Sequence, residues 1–240
     1  MKLALLSALN AERAARRACV LVTELGSGAQ RLVPESDMLR EPLLSDPLWP
    51  VLRESFRSGK SGTVEQGGKA LFLNVQVPPV KLVVTGAVHI SQALVPMARE
   101  LSLDLVVIDP RTAFASPERF PGVRLIAEWP DAALEQVPLD HYTAFVALTH
   151  DPKIDDPALE AALRSECFYV GALGSRKTHA RRVERLQATG FGPDDIARIR
   201  APIGLNIGAV SPAEIALSIV GEIVSVMRAE RVAAKAAPVS

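Results

Sequence analysis

At 240 residues, 48% of them apolar, the chain can bury a full core and reads as two unequal domains. Its 27 Lys and Arg balance 27 Asp and Glu, which argues against the broad basic field of a nucleic-acid or anionic-membrane binder and leaves room only for a local anion site. Two cysteines, Cys19 and Cys167, lie far apart in apolar stretches, fit neither a disulfide framework nor a spaced zinc site, and point to a reducing cytoplasm.

The apolar run over residues 3–9 looks briefly like part of a signal peptide. Asn10 and Glu12 interrupt it, and Arg13, Arg16 and Arg17 follow without a small-residue cleavage site, so an amphipathic helix and a soluble protein are expected. Nowhere does an apolar run approach the roughly 18 residues of a membrane span. Strand-like runs at 19–23 and 71–77 surround a helix expected over about 47–57, with glycines between. Pro78-Pro79 stiffens the chain and removes two backbone donors. The expected organisation is a small α+β domain over 1–79, a larger domain over 80–231 and a flexible tail over 232–240.

From residue 80 onward, short apolar β-branched runs at 81–85, 105–108, 123–127, 144–148 and 168–170 alternate with helical-period segments at 89–101, 132–137, 157–163 and 177–188. Continuous apolar strands alternating with helices predict a doubly wound parallel sheet, an α/β Rossmann-like fold. Ser211-Pro212-Ala213-Glu214 is a capping box with Pro at the first helical position, opening a closing helix to about Met227. Ile215, Ile219, Ile223 and Val226 spread round that helix, as in a dimer interface or equally in a buried core helix.

The strand ends carry the candidate chemistry, because open α/β sheets bind ligands at their carboxyl edge. The first strand-to-helix turn, Gly86-Ala87-Val88-His89-Ile90-Ser91, keeps only the first of three glycines of a dinucleotide fingerprint. Val88 puts a branched side chain where a pyrophosphate would meet backbone, which disfavours NAD(P). His89 either contacts a ligand or hydrogen-bonds the turn. Asp109 stands 23 residues after Gly86, near the usual offset of a ribose-binding acid, yet an Asp before Pro is as readily a turn former. Thr149-His150-Asp151 brings three polar side chains to one strand end, suited to orienting an imidazole, binding a polar ligand edge or coordinating a metal, although no third metal ligand is evident; simple loop structure is the alternative.

Asp155 and Asp156 read as acids at the start of the next helix. The segment 171–177 is the better phosphate cradle: Gly171 and Gly174 allow close backbone approach, Ser175 can cap the following helix, and Arg176 and Lys177 add cationic reach at its positive end. Its plain alternative is a strand-to-helix turn with solvated basic residues. Arg181, Arg182 and Arg185, mixed with Glu184, read as an exposed face. The apolar-rich loop 202–208 is expected to lie against the crevice, and within it Asn206 has no structural explanation. Together these residues suggest a binding module for an anionic ligand. An NAD(P)-dependent oxidoreductase on the same fold is the alternative, weakened by the missing glycines and the lack of an acid/base pair; a pure interaction protein is a third reading.

Several strings in order, Ile108-Asp109-Pro110-Arg111, Phe120-Pro121-Gly122, Leu148-Thr149-His150-Asp151-Pro152, Tyr169-Val170-Gly171-Ala172-Leu173-Gly174-Ser175-Arg176, Pro202-Ile203-Gly204-Leu205 and Pro212-Ala213-Glu214-Ile215-Ala216, resemble the xanthine dehydrogenase accessory protein (XdhC/CoxI) family across about 80–228. The resemblance implies a molybdenum-cofactor chaperone, not an enzyme. Its cargo would be molybdopterin, which it would hold during sulfuration and insertion into a xanthine dehydrogenase or CO dehydrogenase type hydroxylase. The implied partners are the hydroxylase apoenzyme, a cysteine desulfurase, and a second copy or a fuller family paralogue. The implied cofactor-binding residues are Gly86, His89, Asp109, Arg111, Thr149, His150, Asp151, Gly171, Gly174, Ser175, Arg176, Lys177 and Asn206. Val88 and Ser91 depart from the family's Gly-x-Gly-His-Val turn, and Asn206 stands where Asp is common. Thr23, Gly26 and Ser27 are loosely similar to the family's early Gly-Ser motif, while residues 30–79 carry no glycine-rich Cys-Glu segment, so the N-terminal domain reads as shortened or diverged.

Overall fold

The structure is a computed structural model that describes residues 2–38 and 45–233. The chain divides into two compact units, one ending at Pro78 and the other spanning Pro79–Val232. From residue 234 onward the flexible tail expected at the C-terminus lies outside the described residues.

The first unit contains α1 (Leu3–Ala14), β1 (Cys19–Glu24), β2 (Gln30–Pro34), α2 (Trp49–Ser58), β3 (Gly62–Gln66) and β4 (Lys69–Gln76). Its strands form an antiparallel sheet in the order β2-β1-β4-β3. The two strands expected from sequence, β1 and β4, are the central pair. The two that were not expected are the edges, where half-exposed side chains weaken the apolar signal: β3 reads Gly-Thr-Val-Glu-Gln, with no fully buried residue. α2 contributes Leu52 and Phe56 to a core with Val20 and Leu73.

The second unit runs β5 (Lys81–Thr85), α3 (His89–Glu100), β6 (Asp104–Ile108), β7 (Arg124–Ile126), α4 (Pro130–Gln136), β8 (Thr143–Ala147), α5 (Pro152–Arg164), β9 (Tyr169–Ala172), α6 (Arg176–Ala188), α7 (Pro193–Ala197), β10 (Ile199–Arg200) and α8 (Pro212–Ala233). Its six strands are all parallel, in the order β10-β9-β8-β5-β6-β7. Side chains alternate between two cores. Leu82, Val84, Val107, Ala144 and Val146 face α3 and α8, whereas Val83, Val106, Phe145, Ala147 and Val170 face α4 to α7. Covered on both sides, β5 and β8 are buried at every position, which is why residues 82–84 and 144–147 read as unbroken apolar runs. This is the doubly wound Rossmann-like sheet that the alternation of runs predicts. The chain order reverses between β5 and β8, so the crevice outside their carboxyl ends is the topological switch point. α8 packs Ala216, Ile219 and Ile223 into the first core, which makes it a buried core helix on that face. Among the described residues no helix is long and apolar enough to cross a membrane.

Candidate functional site

The switch point is built first from Gly86. Its φ is +113°, and a side chain there would meet Thr149 Cγ2 at 3.0 Å and the Leu148–Thr149 backbone at 3.3 Å, so the turn after β5 presses directly on the end of β8. Without the further fingerprint glycines, the turn is closed by Ser91. Its fully buried hydroxyl accepts from the Val88 amide at 2.8 Å and donates to the Gly86 carbonyl at 2.6 Å. Arg119 adds a second clamp, donating to the Ala87 carbonyl at 3.0 Å and to Gln92 Oε1 at 3.0 Å. His89 begins α3 and is exposed.

Asp109 follows β6 and is fully buried. Its Oδ2 accepts the Ala87 amide at 2.8 Å and Arg111 Nη2 at 2.7 Å, while Oδ1 accepts Arg111 Nε at 2.9 Å and the Arg111 amide at 3.0 Å. Burial alone would raise this carboxyl, but the Arg111 guanidinium and the two amides outweigh it and hold it below the usual carboxylate range. Asp109 therefore ties the β5–α3 turn to the end of β6. Arg111 is committed to Asp109 and lies over the Phe114 ring, 4.6 Å from its centroid.

Beyond β8, Thr149 and His150 make a tight turn in which His150 sits at φ +64° with its side chain exposed. Asp151 is the N-cap of α5, its side chain accepting the Lys153 amide at 3.0 Å. α5 thus starts at Pro152, one and a half turns earlier than its apolar period suggested, and Asp155 lies inside it. That buried carboxylate accepts the Thr149 hydroxyl at 2.7 Å, the His150 amide at 3.0 Å and the Thr149 amide at 3.3 Å. Burial pushes the Asp155 carboxyl above its ordinary range, even with these bonds opposing the shift. Among the described residues no group of three or more His, Cys, Asp or Glu could hold a metal ion.

The 171–177 segment divides in two. Gly171 lies within β9, where an added side chain would meet Ile203 Cδ1 at 2.5 Å, so its lack of a side chain admits Ile203 to the core. Gly174 is in the turn at φ +133°, against Thr178 Cγ2 at 3.0 Å. Ser175 caps α6 as expected, its hydroxyl accepting the Thr178 amide at 3.2 Å, and Arg176 and Lys177 are exposed at that helix start. Asn206 lies on an exposed loop with Leu205 and Ile207, which corrects the expectation of a loop buried against the crevice. The loop is anchored along its first half: Ile203 is buried, the Gly204 amide donates to Glu222 Oε2 at 2.9 Å and the Leu205 amide donates to the Ser218 carbonyl of α8 at 3.1 Å.

The structure thus sets Gly86 against Thr149 and ties Asp109 to the adjacent Ala87 amide at the switch point, and leaves His89 and Asn206 exposed. Two residues emerge that their types concealed. Asp155 shares a helical face with Leu159 and Ala162, and Arg182 precedes buried Leu186 by one turn. Arg182 is not part of an exposed face: it is 2% exposed, with Nη2 donating to the Leu173 carbonyl at 3.0 Å.

The family model of the XdhC Rossmann domain matches residues 82–223. Over 98 residues the chain is 38% identical to the molybdenum cofactor insertion chaperone PaoD of Escherichia coli K12, covering 41% of this chain and 30% of PaoD. Against a probable xanthine dehydrogenase subunit of Bacillus subtilis 168 it is 30% identical over 155 residues, 64% of this chain and 45% of that protein. It is also 32% identical over 162 residues to YqeB of Escherichia coli K12, an uncharacterized protein, covering 67% of this chain and 30% of that one. The chain therefore spans less than half the length of these relatives. A crystal structure described as a xanthine dehydrogenase from Bacillus halodurans shares the fold with a TM-score of 0.64 at 22% identity, covering 93% of this chain and 64% of that one.

Proposed function

The chain belongs to the XdhC Rossmann domain family, and from that premise we propose that it is a molybdenum-cofactor chaperone, holding molybdopterin at the carboxyl edge of its parallel sheet and passing it to a molybdenum hydroxylase apoenzyme. The names of two relatives, a cofactor insertion chaperone and a xanthine dehydrogenase subunit, support the class of cargo and of partner. The observation that carries the reading is the α6 start: the capping hydroxyl of Ser175 and the solvent-facing Arg176 and Lys177 meet at the positive end of a helix of 13 residues. Such a start suits an anionic phosphate. The switch-point residues serve as its frame, with Asp109 and Asp155 shaping the two turns and leaving the Thr149–His150 backbone fixed beside it.

In this reading the protein retains and transfers, and its residues make no bond in the cargo. Sulfuration of the cargo by a cysteine desulfurase, and association with a second copy or with a fuller paralogue, belong to the same proposal. Mass spectrometry of the protein purified from a molybdenum-competent host tests it. A stoichiometric pterin is the expected result. A nicotinamide nucleotide in its place, or a protein that neither carries a pterin nor raises hydroxylase activation on co-expression, would refute it.

A further inference from the structure

Behind the Thr149–His150 turn lies a cavity of about 180 Å³, lined by His150, Asp155, Thr178, Arg181, Arg182 and Arg185 among others. It is smaller than the roughly 300–1,000 Å³ of typical small-molecule pockets, so it has room for a small polyatomic ion and not for a fused ring system. Arg182 enters it from α6, and its Nε and Nη1 are buried without any hydrogen-bond partner. Buried donors of a charged group are costly to leave unmatched, and native structures rarely do so.

The neighbouring carboxylates, Asp155 and Asp156, favour the charged guanidinium from a distance, and neither hydrogen-bonds its Nε or Nη1. Arg185 is neutralised by Asp156, with Nη2 to Oδ1 at 3.0 Å. Asp155 spends its oxygens on the Thr149 and His150 turn. Arg181 is exposed beside the cavity and Thr178 presents a hydroxyl shared with Ser175 at 3.0 Å. We propose that this cavity is an oxyanion site that takes a phosphate group, with Arg182 supplying charge-assisted donors from within and Arg181 adding its charge at the opening. The site is separate from the chaperone reading: inorganic phosphate can bind here whether or not the protein carries a pterin.

Calorimetric titration of the whole chain with inorganic phosphate, at constant ionic strength, tests the site. Saturable binding is expected, with affinity falling at least tenfold in Arg182→Met. Because that buried substitution can unfold the chain, Arg181→Ala is the second variant, expected to keep its melting temperature and to lose affinity severalfold. Phenyl phosphate is titrated in parallel. Binding of both probes assigns the site to an esterified phosphate, binding of inorganic phosphate alone assigns it to the free anion, and either outcome upholds it. Heats no greater than those of chloride, or undiminished phosphate affinity in either folded variant, would overturn it.

Discussion

Asp155 accepts the Thr149 hydroxyl at 2.7 Å, so the turn that ends β8 is held from inside the helix that follows it. Asp109 does the corresponding work for the β5–α3 turn through the Ala87 amide. The two carboxylates respond to pH with opposite sign. Burial raises Asp155, so its contribution to stability is full below about pH 3.9, the unfolded value, and declines as pH rises through its folded pKa. Asp109 is held low despite its burial, so its contribution is full above about pH 3.9 and is lost as pH falls through its folded pKa. Thermal melts between about pH 3 and 7 should show wild type losing ground to Asp155→Asn as pH rises and gaining on Asp109→Asn. Slopes of one sign for both variants would contradict the assignments.

Gly171→Ala places a methyl group where Ile203 Cδ1 would be 2.5 Å away. Overpacking of this kind costs about 1–3 kcal/mol. Ile203→Ala removes both clashing carbons of that side chain, Cδ1 and Cγ1 at 2.7 Å, so the double variant should lose less than the sum of the two single ones in chemical denaturation, with Tyr169 Cε1 at 2.8 Å keeping part of the cost. Phosphate affinity should be the same in the single variant as in wild type. A ligand role for Gly171 would instead show as lost affinity that Ile203→Ala does not rescue.

Cys167 is 4% exposed and burial pushes its thiol up to about 12, while Cys19 is fully buried and is also raised by burial. Neither should react with iodoacetamide in the native protein at neutral pH. Both should react once it is unfolded. Replacing both with Ala should reduce stability by about 1 kcal/mol each, as for small apolar truncations, with pterin retention unaffected. Loss of pterin from a double variant that remains folded by circular dichroism would make a thiol part of the cargo site.

Arg176 is exposed at the first position of α6. Arg176→Ala should lower pterin retention by roughly tenfold to a hundredfold, the effect of losing one charge-assisted hydrogen bond of about 1.5–3 kcal/mol. Its melting temperature should stay close to that of wild type, since an exposed cation contributes little to folding. Retention equal to wild type in this variant would remove α6 from the cargo site.

The fold was legible wherever burial was uniform. β5 and β8 are buried along their full length and apolar over 82–84 and 144–147 because helices cover both of their faces, and Ser211-Pro212-Ala213-Glu214 announced α8: Glu214 accepts the Ser211 amide at 2.8 Å and the Ser211 hydroxyl accepts the Glu214 amide at 3.3 Å. Among the edge strands β2, β3 and β10 were not legible, since β2 and β3 face solvent on one side and β10 has only two residues, whereas β7 was read at 123–127. Within the candidate site, Gly86 stood out by type. Asp155 and Arg182 did not, because charged residues near a helix start or among other arginines read as solvated unless their helical phase is followed from Leu159, Ala162 and Leu186. Pro157 also misled, marking a helix start where Pro152 holds that place and Pro157 lies inside.

The six-stranded sheet ends in a two-residue strand on one side, β10, and a three-residue strand on the other, β7. Edges this short offer almost no row of free amides and carbonyls for a foreign strand to pair with. Recruitment of another protein by strand addition is therefore closed to this domain, and whatever docks on it must be recognised by side chains and loops. That same bluntness guards it against edge-to-edge polymerisation.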